Sequence, residues 1–169
     1  MRVGNVDHRA AYENLLRRYL PALRRLAWSY ARGETEREDL LQEIALGLWT
    51  ALPRFRGDSS ERTWLYRVAH NTSISFVAGG NRRKKREKAG EPLDVPSSPE
   101  SNAIEEQQRA RMRTAVEELP MTDRQVVVLH LEGLSAAEIE DVTGLSAGNV
   151  ATQLTRARQK LVARVKGDA

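Results

Sequence analysis

"LSAAEIEDVTGLSAGNVATQLTRARQKL", Leu134–Leu161, decides how the second half of this chain folds. Ser135 stands three residues before Glu138. That is the spacing of a capping box, in which a hydroxyl and a carboxylate each satisfy an orphan amide at a helix start. Gly144 then interrupts the apolar spacing, and Ser146 reads as the N-cap of a second helix. Two helices meeting at a glycine turn make either a helical hairpin or a helix-turn-helix that lays its second helix in a DNA groove. The second helix, expected over Ala147–Val165, is about 28 Å long at 1.5 Å per residue. Packing against one short partner requires less. Val150, Leu154, Ala157, Leu161 and Val165 form its apolar stripe, and Asn149, Thr152, Gln153, Thr155, Arg156 and Arg158 its polar side, with Ala151 among them. The opening turn, Ser146, Ala147, Gly148 and Asn149, is small enough for the backbone to approach phosphates, and the Asn amide can read a base edge. The cations Arg156, Arg158, Lys160, Arg164 and Lys166 suit DNA, and equally a helix C-terminus.

Working outward, the same construction recurs. Thr122 precedes Gln125 and Thr35 precedes Glu38 at capping-box spacing. Met121/Val126, Leu134/Ile139 and Leu145/Val150 fall at hydrophobic-staple positions. The β-branched run "VVVLHL" directly follows a helix start, and strand-like alternation is absent, so the fold class is all-α. Upstream, Tyr12, Leu15, Leu16, Tyr19, Leu23, Leu26 and Ala27 recur at helical spacing, with Pro21 as an expected kink. Leu40, Leu41, Ile44, Leu48 and Leu52 mark a second helix, and a third begins near Glu61. Residues 89–101, "AGEPLDVPSSPES", are rich in Pro, Ser and Gly and poor in apolar residues, as a flexible linker is. Two small helical domains are therefore expected, 1–88 and 102–169. The first carries a charge of +8, the linker −3 and the second −1, within a total of +4. The polyanion-facing excess lies in the first half.

Composition closes off several chemistries. With no cysteine, disulfide scaffolds, cysteine–zinc sites and thiol catalysis are excluded, and a reducing compartment is implied. His8, His70 and His130 have no clustered metal spacing, and His70 is expected at the surface. No catalytic or metal constellation, cofactor motif, signal region or membrane-length apolar run occurs, so a non-catalytic, soluble, cytoplasmic protein is expected.

Asp39, Gln42 and Glu43 lie at i, i+3 and i+4 on one helix face, with Leu40, Leu41 and Ile44 turned inward. "RFRGDSSERTWLYRVAHN" combines Arg54, Arg56, Arg62 and Arg67 with Phe55, Trp64 and Tyr66 around the short loop Gly57–Ser60. Opening DNA requires partners on which extruded bases stack, and cations that hold the backbone. Trp64 and Tyr66, two apart, cannot share one helix face. The run "NRRKKREK", with Arg82, Arg83, Lys84 and Lys85, is either a solubilising helix end or a phosphate contact.

At this point the residues are recognisable. "ELPMTDRQVVVLHLEGLSAAEIEDVTGLSAGNVATQLTRARQKL" resembles the promoter-reading region of small bacterial RNA polymerase sigma factors of the extracytoplasmic-function group. "EDLLQEIALGLWTALPRFRGDSSERTWLYRVAHNT" resembles their amino-terminal region, in the expected order. The resemblance implies that Asp39, Gln42 and Glu43 dock on the clamp helices of the polymerase largest subunit, and that the flap is a further polymerase contact. It implies capture of the non-template strand at the minus-ten element by Asp58, Ser59 and Ser60 with Arg67 and Asn71, in a region that includes Arg54, Phe55, Arg56 and Trp64. It implies minus-thirty-five recognition by the helix that follows Ser146, and an anti-sigma factor as a further partner. Departures stand out: Glu140 where the family usually has Ala, Ala151 and Gln153 where it commonly has Lys and Arg, and Ser75–Phe76 in place of an Asp-Arg pair. The alternative is a free-standing helix-turn-helix regulator. Thirteen linker residues reach at most about 43 Å. With about 11 Å for each domain that gives roughly 65 Å, close to the roughly 70 Å between elements two helical turns apart.

Overall fold

The computed structural model describes residues 3–84 and 103–167, with side chains over 7–80 and 106–164. The linker at 89–101 and Lys85 lie outside the described residues. The chain forms α1 (Val3–Tyr30), α2 (Glu34–Ala51), a 3-10 turn (Leu52–Arg54), α3 (Glu61–Lys84), α4 (Ala103–Glu117), α5 (Met121–Leu131), α6 (Ala136–Thr143) and α7 (Ala147–Gly167), with no strand among the described residues. The all-α expectation holds.

In the first half α1, α2 and α3 pack around Leu15, Leu23, Leu26, Leu40, Ile44, Leu48 and Leu65. α1 continues as helix through Pro21, which is exposed. Its missing N–H leaves the Arg17 carbonyl without the usual helical partner, at a surface where water can serve. α2 and α3 approach closely at Gly47, where a Cβ would lie 2.8 Å from the Thr72 hydroxyl. His70, expected at the surface, is instead buried on α3 beside Tyr30 of α1. Burial raises the Tyr30 pKa, so the hydroxyl keeps its proton, and it is hydrogen-bonded to Nδ1 of His70.

The second half is built around α5. Asp123 to Leu129 are all buried. An ordinary surface helix has one apolar stripe, whereas α5 packs against α1 on one side and α7 on another. That is why "VVVLHL" has no helical periodicity yet is helical. Lys160 of α7 donates to the Asp123 carboxylate at 2.9 Å, which satisfies the acid in this setting.

Two of the expected caps are corrected. α2 begins at Glu34 after Gly33, whose φ of 81° is left-handed, so Thr35 lies inside the first turn and does not cap. Glu36 reaches back instead to the Arg32 amide at 2.6 Å. α5 begins directly after Pro120, whose carbonyl accepts from the Arg124 amide at 3.0 Å, so Thr122 caps nothing either. In both cases the backbone conformation of the preceding Gly or Pro sets the boundary before a hydroxyl can. The Ser135–Glu138 box is present in full.

The two halves are not apart. Buried side chains of α1, α2 and α3 form one continuous apolar cluster with Val126, Val128, Leu129, Leu134 and Ile139. Around that cluster runs a polar seam. Arg25 of α1 makes a two-pronged pair with the Glu132 carboxylate, which also accepts from the Tyr66 hydroxyl at 3.1 Å. Arg62 of α3 donates to Glu138 and to the Gly133 carbonyl, both at 3.2 Å. Trp28 and Arg37 both donate to Glu117, at 2.9 and 3.0 Å. Gly133, with φ of 83°, lets the chain turn so that Glu132 faces α1, while the Leu134 amide closes the turn on the Leu129 carbonyl at 3.2 Å.

Two measurements check this arrangement. Glu132→Lys sets a cation against Arg25; because Arg25 is mostly exposed, the loss is on the order of 1 kcal/mol of docking. Small-angle scattering should then show a radius of gyration raised only as far as a roughly fivefold shift toward the undocked form allows, with helicity unchanged. Burial also lowers the His70 pKa below 6.5. The unfolded chain therefore takes up the proton first as the pH falls, and this contribution to stability, full above about 6.5, is lost progressively below it. In His70→Gln, chemical denaturation should lose that component of the pH dependence.

Candidate nucleic-acid interface

The loop between the 3-10 turn and α3 is shaped by Pro53 and by Gly57, whose φ is 79°. Ser60 ends it: its Oγ accepts from the Thr63 amide at 3.0 Å and pairs with the Thr63 hydroxyl at 2.8 Å. Ser60 is thus the N-cap of α3, a role its sequence position before Glu61 signals but which a strand-capturing assignment passes over.

Arg54, Phe55, Arg56, Asp58, Ser59, Trp64 and Arg67, together with Val68, line one open cleft of about 250 Å³. Residues named separately on chemical grounds are here brought to one place. Arg67 reaches Ser59 at 3.4 Å, tying α3 to the loop. Phe55 and Trp64 pack with ring centroids 4.8 Å apart and planes at 34°. Trp64 is buried and Phe55 half-buried. The stacking surface on offer is therefore Phe55, and Trp64 backs it. Tyr66 points elsewhere, into the seam with Glu132, as the two-residue spacing from Trp64 requires.

A second groove, of about 530 Å³ between α2 and α3, is lined by Glu43, Leu46, Gly47, Thr50, Asn71 and Thr72, and shares Arg54, Trp64 and Val68 with the first. Asn71 therefore faces this groove and not the loop cleft. Asp39, Gln42 and Glu43 are all exposed, and Leu40 and Ile44 are buried, as their spacing predicts. Sequence reasoning missed Leu46. It is 60% exposed, seven residues after Asp39 on the same face, and adds an apolar contact to a polar surface. Arg82, Arg83 and Lys84 continue α3, but their side chains lie outside the described residues.

On the other half, α6 ends at Gly144 in the left-handed region, φ 75°, and α7 begins at Ala147. Ser146 Oγ accepts from the Asn149 amide at 3.3 Å, the predicted cap. Val150 and Ala157 are buried and Leu154 and Leu161 half-buried; the Val165 side chain lies outside the described residues. Gly148, Asn149, Ala151, Thr152, Thr155, Arg156 and Arg158 are exposed, as expected for a DNA-facing side. Gln153 differs: it is half-buried and its Oε1 is buried without a partner. Lying three residues from Val150 and four from Ala157, it sits at the edge of the apolar stripe. Thr152 and Thr155 donate their hydroxyl protons to the carbonyls of Gly148 and Ala151, each at 2.9 Å.

The expected phosphate approach at the α7 N-terminus is also modified. The Ala147 amide, the first of the helix, donates to Oε2 of Glu140 at 3.0 Å. Glu140 is exposed, so the acid that stands where a small residue was expected turns outward and does not wedge the helices apart.

Among the described residues no His, Cys, Asp and Glu cluster could hold a metal, and no helix is long and apolar enough to cross a membrane.

Comparison with known proteins identifies the family. Residues 15–83 match the model of Sigma-70 region 2, and residues 109–161 that of Sigma-70, region 4. The chain is 32% identical over 139 residues to the ECF RNA polymerase sigma-E factor of Escherichia coli, covering 76% of this chain and 73% of that one. It is 30% identical over 171 residues to the RNA polymerase sigma-H factor of Pseudomonas aeruginosa, covering 95% and 88%. Among solved structures, CnrH in complex with the cytosolic domain of CnrY is similar at a TM-score of 0.68 and 26% identity, over 95% of this chain and 91% of that one. The sigma factor RpoE of Bartonella quintana, solved with the anti-sigma factor NepR, shares the fold at a TM-score of 0.77 and 22% identity, over 94% and 99%. With both regions matched in order and these identities over most of its length, the chain belongs to the extracytoplasmic-function group of RNA polymerase sigma factors.

Proposed function

We propose that the chain binds core RNA polymerase through the exposed face of α2, captures the non-template strand of the minus-ten element in the cleft between the Phe55–Ser60 loop and α3, and reads the minus-thirty-five element with α7. It catalyses no reaction itself and acts in the cytoplasm. The observation that carries this reading is the gathering of Arg54, Phe55, Arg56, Asp58, Ser59 and Arg67 around one open cleft. Cations at its rim can hold a backbone, and an accessible aromatic ring gives an extruded base a surface to stack on.

Residues 1–88 and 102–169 act as separate domains at work. Two promoter elements about two helical turns apart cannot both be met while Glu132 and Glu138 are bonded to Arg25, Tyr66 and Arg62. The seam is suited to parting. It is rich in charge, and Arg124, close to Arg32 and Arg37, leaves its Nε buried without a partner. Burial in that setting lowers its pKa, which marks a cation that gains by returning to water. An anti-sigma factor that binds both halves would act on this same equilibrium; the related RpoE is known with an anti-sigma factor, NepR.

The direct experiment is run-off transcription by core polymerase with and without the purified chain on a promoter library. Promoter-specific transcripts are expected only with the chain. A free-standing regulator would bind DNA without co-purifying with core polymerase. Asp39→Ala combined with Glu43→Ala should leave the melting temperature nearly unchanged, because both residues are exposed, and weaken core binding by roughly tenfold. Unaltered affinity in a pull-down titration would reject the α2 face. Asn149→Ala should cost roughly 1–3 kcal/mol on a matched minus-thirty-five duplex and much less on a scrambled one. Equal losses would remove α7 from base recognition.

A further inference from the structure

We infer that Glu140 is a built-in anion that occupies the phosphate-binding end of the recognition helix and weakens its hold on DNA of any sequence. The inference rests on the reading of α7 as the DNA-facing helix. A helix N-terminus offers unpaired amides and the positive end of a dipole, and so attracts phosphate. At α7 two of those amides are taken. Oε2 of Glu140 accepts from the Ala147 amide at 3.0 Å, and Ser146 Oγ accepts from the Asn149 amide at 3.3 Å. α7 carries no acid in its own first turn, so the complementing charge comes from α6. Among the described residues no cation pairs with Glu140, and it is exposed, so only the amide and dipole of α7 offset its charge.

Its position gives that charge leverage. Asn149, the residue placed to read a base, lies two residues after Ala147, within one helical turn of about 5.4 Å. A charge at that distance acts inside the screening length of about 8 Å at physiological salt. A backbone phosphate brought close to the first turn therefore meets the repulsion of a carboxylate that already holds the Ala147 amide. The second half, with its slight negative balance, has little cationic surplus to offset this. Contact with the minus-thirty-five element is then too weak to hold the chain on DNA alone, and depends on the first half and the polymerase to bring the duplex near.

Two variants separate the charge from the occupied amide. Glu140→Gln removes the charge, but its amide oxygen can still accept from Ala147. Glu140→Ala removes the charge and also frees the amide for a phosphate. Each is assayed as the full chain bound to core polymerase, on matched and scrambled minus-thirty-five duplexes across a salt series, with helicity checked by circular dichroism. Glu140→Gln should tighten both duplexes about two- to threefold at low salt, with the gain fading as salt rises. Glu140→Ala should tighten both further and steepen the log–log salt dependence by about one unit, as one added phosphate contact does. Unchanged affinity in both variants overturns the proposal, as does a loss on the matched duplex alone, which would make Glu140 a base reader. Asn149→Ala runs alongside. If it discriminates between the duplexes while the Glu140 variants do nothing, only the Glu140 proposal fails. If none of the variants changes duplex binding, α7 does not enter the groove and both readings fall together.

Discussion

Everything in this fold depends on burying α5 from all sides. A helix covered from Asp123 to Leu129 buries more surface than α6 and α7 cover, and they leave one face open. α1 closes that face, and the core becomes continuous from Leu15 to Val150. Covering α5 with α1 requires no specific geometry, whereas the charged seam around it does. Apolar burial is non-directional and supplies the attraction; Arg25, Arg62 and Tyr66 meeting Glu132 and Glu138 supply the register.

Glu138 shows how closely the local and long-range structure are joined. One carboxylate accepts from the Ser135 amide at 2.8 Å, closing the capping box, and from Arg62 across the seam at 3.2 Å. The amide bond, together with the neighbouring guanidinium, holds its pKa below the usual carboxylate range. The cap is local to α6 and makes no use of the first half, so it does not depend on how the halves are docked.

Most of the helices could be read from the sequence because their signals are local. The Ser135 box, the Ser146 cap and the inward positions Leu40 and Ile44 depend only on neighbours within a turn or two. The loop cleft was legible for a different reason. Its residues are adjacent in the chain, so chemistry alone gathered Arg54 to Arg67. What escaped was whatever depends on distant segments. His70 reads as a polar helix residue until Tyr30, forty positions away, covers it. The docking of the two halves has no local signature, since Arg25 and Glu132 are separated by 107 residues. Thr35 and Thr122 failed as caps because Gly33 and Pro120 fix the backbone first.

The hydroxyls of Thr152 and Thr155 have a consequence for the vocabulary this helix can read. Each spends its only proton on a carbonyl of its own helix, so each turns lone pairs, and no donor, outward. In the major groove adenine and cytosine offer exocyclic amino groups, while guanine and the thymine ring offer acceptors that these hydroxyls cannot satisfy. Were α7 to lie in a groove as proposed, these two hydroxyls could accept from the amino groups of adenine or cytosine but donate to no base, leaving the threonine methyls to meet thymine.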